Sequence, residues 1–168
     1  DLWAQITTLS KEAISESGDI TIKAITATSQ REGIVVIDKD GNSLLGMPNI
    51  DHRGRAWENE LRDKDMVYEL SGRYPTSLFS AFKLVGLRKV YPDIFDKVAC
   101  VMRISDWIQY KFSGVVAYEH SQASETLLYD VEKKNWSDNL LNLFDLPKQI
   151  LPSVKDSGSV LGDVLAEV

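Results

Sequence analysis

The sequence predicts an α/β fold, with a mixed sheet that includes an antiparallel hairpin portion and has flanking helices. Short runs rich in β-branched residues, at 20–27 and 34–37, have the composition and the period of strands. Other stretches carry apolar residues at helical spacing, most clearly at 79–91. Turn and breaker residues separate the two kinds of segment, so strands and helices are expected to alternate along the chain.

The first half of the chain is expected to hold one helix followed by three strands. The predicted elements are a helix at 2–14 and strands at 20–29, 31–38 and 43–47. Ser17-Gly18-Asp19 ends the helix, and the alternating apolar side chains that follow favour a strand with a hairpin neighbour. Asp40-Gly41 is a strong turn signal before the last of these strands.

The sequence of the second half predicts several helices and one buried strand. The predicted elements are helices at 53–61, 64–71, 79–91, 107–112 and 137–145 and a strand at 98–104. Gly72 and Gly114 are typical of helix C-termini, and Pro92 ends the helix before it. Ser105-Asp106 and Ser137 are expected to cap the helices that follow them.

Composition limits the possible functions. A length of 168 residues, with 43% hydrophobic and 26% charged residues, is typical of one globular domain with its own core. The net charge of −6 gives no electrostatic support for nucleic-acid binding, which needs a basic face. No apolar stretch approaches the ~20 residues that span a bilayer, and the first residues do not resemble a secretory signal. A cytoplasmic protein without a membrane partner is therefore expected.

Cysteine and histidine usage predicts no metal site within this chain. Cys100, the single cysteine, lies in an apolar run and is expected to be a buried, inert thiol. His52 and His120 are far apart and lack the spacing of metal ligands.

Two polar clusters at predicted strand ends are the best candidates for a functional site. The first is Ser29-Gln30-Arg31-Glu32-Gly33, and the second is Asn49-Ile50-Asp51-His52-Arg53. Polar groups gathered at the ends of a rigid apolar scaffold are typical of small-molecule sites.

Each cluster also has a purely structural interpretation. Arg31 and Glu32 can form a surface ion pair of little energetic value. Gln30 can satisfy backbone groups, and Asp51 can pair with Arg53 to hold the loop that contains them. The residue types alone leave these alternatives open.

Several motifs, in their order and spacing, resemble the N-terminal domain of the FGGY carbohydrate kinases. The matching segments are 25–33, Asp38-x-Asp40-Gly41, Asn49-x-Asp51-x-Arg53, Ser105-Asp106-Trp107-Ile108, Phe112-Ser113-Gly114, Ser121-x-Ala123-Ser124-x-Thr126, Trp136, and Leu146-Pro147…Leu151-Pro152-x-Val154. Together they cover nearly the whole chain, although no single one is decisive.

The resemblance implies a ribonuclease-H-like, actin-type fold that phosphorylates a sugar or polyol with ATP and Mg²⁺. Residues 1–168 would form part of the substrate-binding domain. The family's phosphate-binding Asp-x-Gly-Thr hairpin, its catalytic aspartate and its ATP-binding C-terminal domain match nothing in this chain. We therefore expect this chain alone to be inactive, with ATP and Mg²⁺ bound mainly by parts outside it.

The resemblance also implies which residues bind the substrate. The expected substrate-binding residues are Gln30, Arg31, Glu32, Asn49, Asp51 and Arg53. Arg31-Glu32 matches the pair that holds hydroxyls in glycerol kinases, whereas Leu78 replaces their substrate-contacting tyrosine. Asn49 replaces the tryptophan of xylulokinase-like members, and the autoinducer-2 kinases resemble this chain at both clusters.

The resemblance leaves the exact substrate, the oligomeric state and the roles of some acidic residues open. The substrate is expected to be autoinducer-2-like, xylulose-like or glycerol-like, and a homodimer is possible. The alternative is a non-catalytic sugar-binding or regulatory module with the same fold. The roles of Asp106, Glu119 and Glu125 are not predicted from the sequence.

Overall fold

A three-stranded antiparallel sheet lies at the centre of the chain. A computed structural model describes residues 1–166 and residue 168. The strands are β1 (Ile34–Ile37), β2 (Ser43–Met47) and β3 (Cys100–Arg103), in the order β2-β1-β3. Asp38 stabilises the β1–β2 turn, because its Oδ1 accepts from the backbone N–H groups of Asp40 at 2.9 Å and Asn42 at 2.8 Å. The predicted turn and the predicted strand at 43–47 are confirmed.

Helices and short strand pairs surround this sheet. The helices are α1 (Leu2–Glu16), α2 (Lys64–Ser71), α3 (Ser80–Val90), α4 (Pro92–Phe95), α5 (Ile104–Ser113), α6 (His120–Ser124) and α7 (Asp138–Phe144). The short strands are β4 (Tyr118–Glu119), β5 (Tyr129–Asp130), β6 (Asn135–Trp136) and β7 (Val154–Lys155), and single 3-10 turns occur at Arg55–Trp57 and Lys148–Ile150. β4 pairs with β7 in parallel and β5 pairs with β6 antiparallel. The alternation of strands and helices confirms the predicted α/β class.

The central strand β1 is buried on both faces, which explains why all four of its residues are apolar. Ile34 and Val36 pack into the main core with Leu84 of α3, while Val35 and Met102 belong to a second cluster under α5. A strand covered on both faces has no reason to alternate polar and apolar residues. Burial of a side chain such as Ile34 or Leu84 contributes roughly 1.5–3 kcal/mol.

The predicted strand at 20–29 is wrong. These residues have no strand pairing, and Ile20, Ile22 and Ile25 are exposed. The predicted hairpin partner, β1, already pairs with β2 on one edge and with β3 on the other. Because a strand has only two edges, residues 20–29 cannot join β1 in the sheet. Their anchor is a hydrogen bond from the Ser105 N–H to Ser29 Oγ, 3.1 Å long.

Two helix predictions need correction. The stretch 53–61 contains only the 3-10 turn Arg55–Trp57, because its start is packed directly against α3, as described below. The helix predicted at 107–112 is α5, which begins earlier, with Arg103 as its N-cap, so Ser105 and Asp106 lie inside its first turn.

The other helix predictions are confirmed. α2 has the predicted bounds and ends at Gly72, whose φ of 68° is left-handed. α3 falls within 79–91, and Gly114 ends α5 with a φ of 73°. Ser137 caps α7, since its side chain accepts from the Leu140 N–H. Among the described residues, no helix combines the length and the apolar character needed to cross a membrane.

Candidate functional site

Arg31 and Glu32 form a tight turn at the entrance to β1. Glu32 has a φ of +63°, a left-handed conformation that costs a residue with a side chain roughly 1–2 kcal/mol. The turn leaves the Arg31 side chain 67% exposed and buries that of Glu32 to 11% exposure. A distance of 4.0 Å separates Arg31 Nε from Glu32 Oε1. The backbone strain is typical of a functional site, because it is retained only where the surrounding structure enforces it.

Glu125, at the end of α6, lies in the same cluster. Arg31 Nη1 is 3.6 Å from Glu125 Oε1, and Arg73 forms an ion pair with the same oxygen. The side chain of Glu125 is only 7% exposed. From the sequence alone, Glu125 is recognisable only as an acidic residue in a polar segment, with no predicted role. Three separate parts of the chain therefore bring two arginines and two glutamates together.

The surroundings of Glu32 raise the pKa of its carboxyl group. Burial is the largest cause that raises the pKa of Glu32, and a hydrogen bond with the Glu125 carboxyl group raises it further. The positive charges of Arg103 and Arg31 oppose this effect without cancelling it. Arg103 is fully buried and lies opposite Ile34 in the sheet, next to the turn that carries Glu32.

The second predicted cluster, the loop at 49–53, is held together by its own side chains. Arg53 Nη2 lies 2.6 Å from Asp51 Oδ2, and Arg53 Nε donates to both carboxylate oxygens at 3.0 Å. Burial favours a higher pKa for Asp51, but the hydrogen bonds from Arg53 and the charge of Lys83 outweigh it and lower the pKa. The geometry matches the alternative in which Asp51 and Arg53 hold the loop.

Lys83 of α3 holds the 49–53 loop through two hydrogen bonds to its backbone. Its Nζ donates to the backbone oxygens of Asn49 at 3.1 Å and Asp51 at 2.7 Å, and the residue has no accessible surface. Burial lowers the pKa of Lys83 to about 8, while the charges of Asp51 and Glu32 act in the opposite direction. Sequence reasoning missed Lys83, although a lysine in the apolar stripe Phe82-Lys83-Leu84 is a signal of a buried charge.

Close packing between α3 and the loop sets the position of Lys83. A Cβ on Gly54 would lie 2.0 Å from the backbone oxygen of Phe82, and one on Gly86 would lie 2.6 Å from the backbone of Arg53. Only glycine allows the two backbones to approach this closely. The loop therefore follows the surface of α3 and does not continue into the helix predicted at 53–61.

Gln30 is the predicted residue with the weakest structural link to the others. It is exposed, and its side chain takes part in none of the hydrogen bonds among the described residues. Asn49 is half-buried, and its link to the cluster is its backbone oxygen. Of the predicted residues, Arg31 and Glu32 lie together, whereas Asn49, Asp51 and Arg53 form a second group around Lys83.

A separate cavity of about 230 Å³ lies beside these clusters. Its wall includes Thr26, Thr28, Asp106, Glu119 and Gln122 and none of the predicted substrate-binding residues. Burial raises the pKa of Asp106 to about 7, although Arg103 opposes the shift. The Oδ2 atom of Asp106 is buried and makes no hydrogen bond to the described residues. Glu119 is a helix cap, because its carboxylate accepts from the N–H groups of Ser121 and Gln122 at the start of α6.

Similar sequences come from sugar kinases. The chain is 47% identical over 166 residues to YoaC of Bacillus subtilis (strain 168), whose assignment as a sugar kinase is itself provisional; the match covers 99% of this chain and 34% of that protein. It is 36% identical over 153 residues to the autoinducer-2 kinase of Yersinia enterocolitica serotype O:8 / biotype 1B (strain NCTC 13174 / 8081), covering 87% of this chain and 28% of that protein. The chain thus spans about a third of the length of these relatives.

Solved structures with the same fold are also kinases. The glycerol kinase of Plasmodium falciparum with ADP superimposes with a TM-score of 0.85 at 26% identity, over 93% of this chain and 34% of that one. The gluconate kinase of Lactobacillus acidophilus gives a TM-score of 0.85 at 18% identity, over 92% of this chain and 32% of that one, and shows the fold alone. These neighbours confirm the predicted actin-like fold.

A family model matches the chain from its first residue to its last. The model is that of the FGGY family of carbohydrate kinases, N-terminal domain, and it covers residues 1–168. This match confirms the resemblance seen in the motifs. The chain belongs to the FGGY family of carbohydrate kinases, and its residues 1–168 match the model of the family's N-terminal domain.

Proposed function

We propose that this chain is the substrate-binding portion of an ATP-dependent kinase that phosphorylates a hydroxyl of a small keto-sugar or polyol. The observation that carries the proposal is the strained turn that places the exposed Arg31 guanidinium beside the buried Glu32 carboxyl group. A guanidinium only donates hydrogen bonds and a carboxylate only accepts them, so the pair binds hydroxyl groups from both sides. Family membership supports phosphoryl transfer as the reaction.

The predicted residues have different roles in this proposal. Arg31 and Glu32 contact substrate hydroxyls directly. The half-buried Asn49 faces the substrate from the loop, while Asp51 and Arg53 pair with each other and keep that loop in shape. Gln30, exposed beside Arg31, contacts the outer end of the substrate.

The remaining chemistry is assigned to parts of the enzyme outside this chain. ATP supplies the phosphoryl group, and Mg²⁺ neutralises charge on its oxygens. The described residues do not fit a resident metal, because they include no group of three or more His, Cys, Asp or Glu placed to hold one. The role of this chain is to orient the acceptor hydroxyl and, on closure of the second domain, to exclude water.

The names of the relatives support an autoinducer-2-like acceptor as one candidate substrate. Several relatives at 35–36% identity are autoinducer-2 kinases. A small, highly hydroxylated ketone suits a site lined by Arg31, Glu32 and Asn49. Glycerol-like and xylulose-like acceptors remain part of the proposal, and a panel of all three classes with the full-length protein and ATP tests it.

Substitution of Arg31 tests the role of the first cluster. Arg31→Ala in the full-length protein should raise the KM for the sugar about 10- to 100-fold, because a hydrogen bond from a charged donor is lost. The KM for ATP should stay unchanged. Lys39→Ala removes a side chain that is 83% exposed in the β1–β2 turn and is the matched control.

Three outcomes separate the alternatives. An unchanged sugar KM in Arg31→Ala means that the ion pair is only structural. No turnover with any acceptor, together with measurable sugar binding by calorimetry, favours the non-catalytic module. If the protein shows no turnover and binds no sugar, both proposed functions are refuted.

A further inference from the structure

Glu125 is the point at which the charged groups of the first cluster converge. Arg31 lies in the turn before β1, Arg73 follows α2, and both guanidinium groups form ion pairs with Glu125 Oε1. Glu32 lies close to the same carboxylate, since Glu125 raises the pKa of Glu32 through hydrogen bonding and through its charge. Three segments that are distant in sequence are thus joined through one carboxylate.

This arrangement differs from an ordinary surface ion pair. The Glu125 side chain is 7% exposed, and a buried carboxylate is costly unless its partners satisfy it. The Arg31 side chain, by contrast, is 67% exposed, and its acidic partners within 4.0 Å among the described residues are Glu32 and Glu125. Without Glu125, the long Arg31 side chain would lose its nearer anchor and would sample many rotamers.

We propose that Glu125 is a positioning residue of the substrate site, which orients the Arg31 guanidinium and holds the Glu32 carboxyl group. The inference rests on the proposed sugar-kinase function and adds a residue to it. Glu125 acts through Arg31 and Glu32, which contact the substrate, and Arg73 balances its charge. Two hydroxyl-binding groups held at a set separation favour acceptors that carry neighbouring hydroxyl groups over those with a single hydroxyl.

The matched substitution is Glu125→Gln, which keeps the shape and the hydrogen bond to Glu32 but removes the charge that anchors both arginines. In the full-length protein it should raise the sugar KM about 5- to 50-fold, the range expected from a hydrogen bond to a charged group. The kcat should stay within about twofold, because Glu125 contacts neither ATP nor the reacting hydroxyl. Glu132→Gln, at an exposed glutamate in the turn between β5 and β6, is the control and should match the wild type.

A pH profile separates positioning from mere structural support. Glu125 is one of the groups that raise the pKa of Glu32, while Arg103 and Arg31 lower it. Lys83 and Arg73 also lie near these carboxyl groups and are unchanged in the variant. Removing the Glu125 charge should therefore move the acid limb of the kcat/KM profile to lower pH, since Glu32 then ionises more readily.

A double-mutant cycle decides the mechanism. If Glu125 acts through Arg31, then Glu125→Gln has little further effect on the sugar KM once Arg31 is alanine. Additive effects on KM, or an unchanged acid limb, would overturn the proposal while leaving the kinase function intact. A wild-type protein that phosphorylates no sugar refutes the proposed function and this inference with it. Thermal unfolding of each variant shows whether a change in KM reflects loss of the fold.

Discussion

Two fully buried cationic residues, Lys83 and Arg103, lie beneath the candidate site. Neither has accessible surface. The charge of Arg103 acts to lower the pKa of Glu32 and of Asp106, and the charges of Asp51 and Glu32 act to raise that of Lys83. A buried charge is tolerated only where opposite charges or hydrogen bonds compensate for its lost hydration. We therefore expect that removal of either buried cation would lower the stability of the domain and disturb the residues that are proposed to bind substrate.

Substitution of Lys83 tests this connection at the level of one residue. Lys83→Met keeps the length of the side chain but leaves the backbone oxygens of Asn49 and Asp51 without their donor. The free energy of unfolding of this chain should fall by about 2–4 kcal/mol, measured by urea denaturation. Lys89→Met, at an exposed position near the end of the same helix, should change it by less than about 0.5 kcal/mol. Equal stability of the two variants would show that the buried ammonium group contributes nothing.

At the level of elements, the close contact between α3 and the chain at Arg53 and Gly54 fixes the position of the 49–53 loop. The contact depends on Gly54 and Gly86, because a Cβ at either position would lie closer than 3.0 Å to backbone atoms that cannot rotate away. The loop carries Asn49, Asp51 and Arg53, so a shift of the helix would move all three together. The glycines thus have an indirect part in the geometry of the site.

Gly54→Ala is the direct test of this contact. The new methyl group would lie 2.0 Å from the Phe82 backbone oxygen, so the loop must move, at a cost of about 2 kcal/mol or more. In the full-length enzyme the sugar KM should rise as well. Gly46→Ala in β2 is the matched control, since its Cβ would meet nothing within 4 Å. A Gly54→Ala protein with wild-type stability and KM would contradict the close packing described here.

At the scale of the whole molecule, the buried carboxyl group of Asp106 makes stability depend on pH. Burial raises its pKa from 3.8 to about 7, so the folded chain binds a proton more tightly than the unfolded chain does. Below pH 4 both states are protonated and the folded state carries no penalty from this group. As the pH rises from about 4 to about 7, the unfolded state ionises first, and stability is lost.

Asp106→Asn isolates this effect, because an amide has the shape of the protonated acid and does not titrate. The wild type should lose roughly 2–4 kcal/mol of unfolding free energy between pH 4 and pH 8 relative to the variant, as measured by urea denaturation at each pH. Other carboxyl groups titrate in both proteins, so the difference between the two curves is the informative quantity. Parallel curves would mean that water or a nearby cation satisfies the ionised group.

Local sequence signals predicted much of the fold. The bounds of α2, the cap of α7 and the turn between β1 and β2 follow from residues a few positions apart, because helix caps and tight turns are local interactions. The predicted strand at 20–29 failed because pairing depends on which edges are free, and β2 and β3 occupy both edges of β1. The hydrophobic periodicity and the composition of a segment do not show whether another strand already occupies the edge that it would pair with.

The sequence by itself determined the α/β class, the family motifs and the polar pair Arg31-Glu32 at the start of a strand. Only the tertiary structure decided which charges surround that pair: Glu125 pairs with Arg31 and with Arg73, and the charges of Arg103 and Lys83 act on or respond to that of Glu32. The physical reason is that propensity and capping act over a few residues, whereas a buried charge is placed by partners far away in sequence. Those partners become known only when the chain is folded.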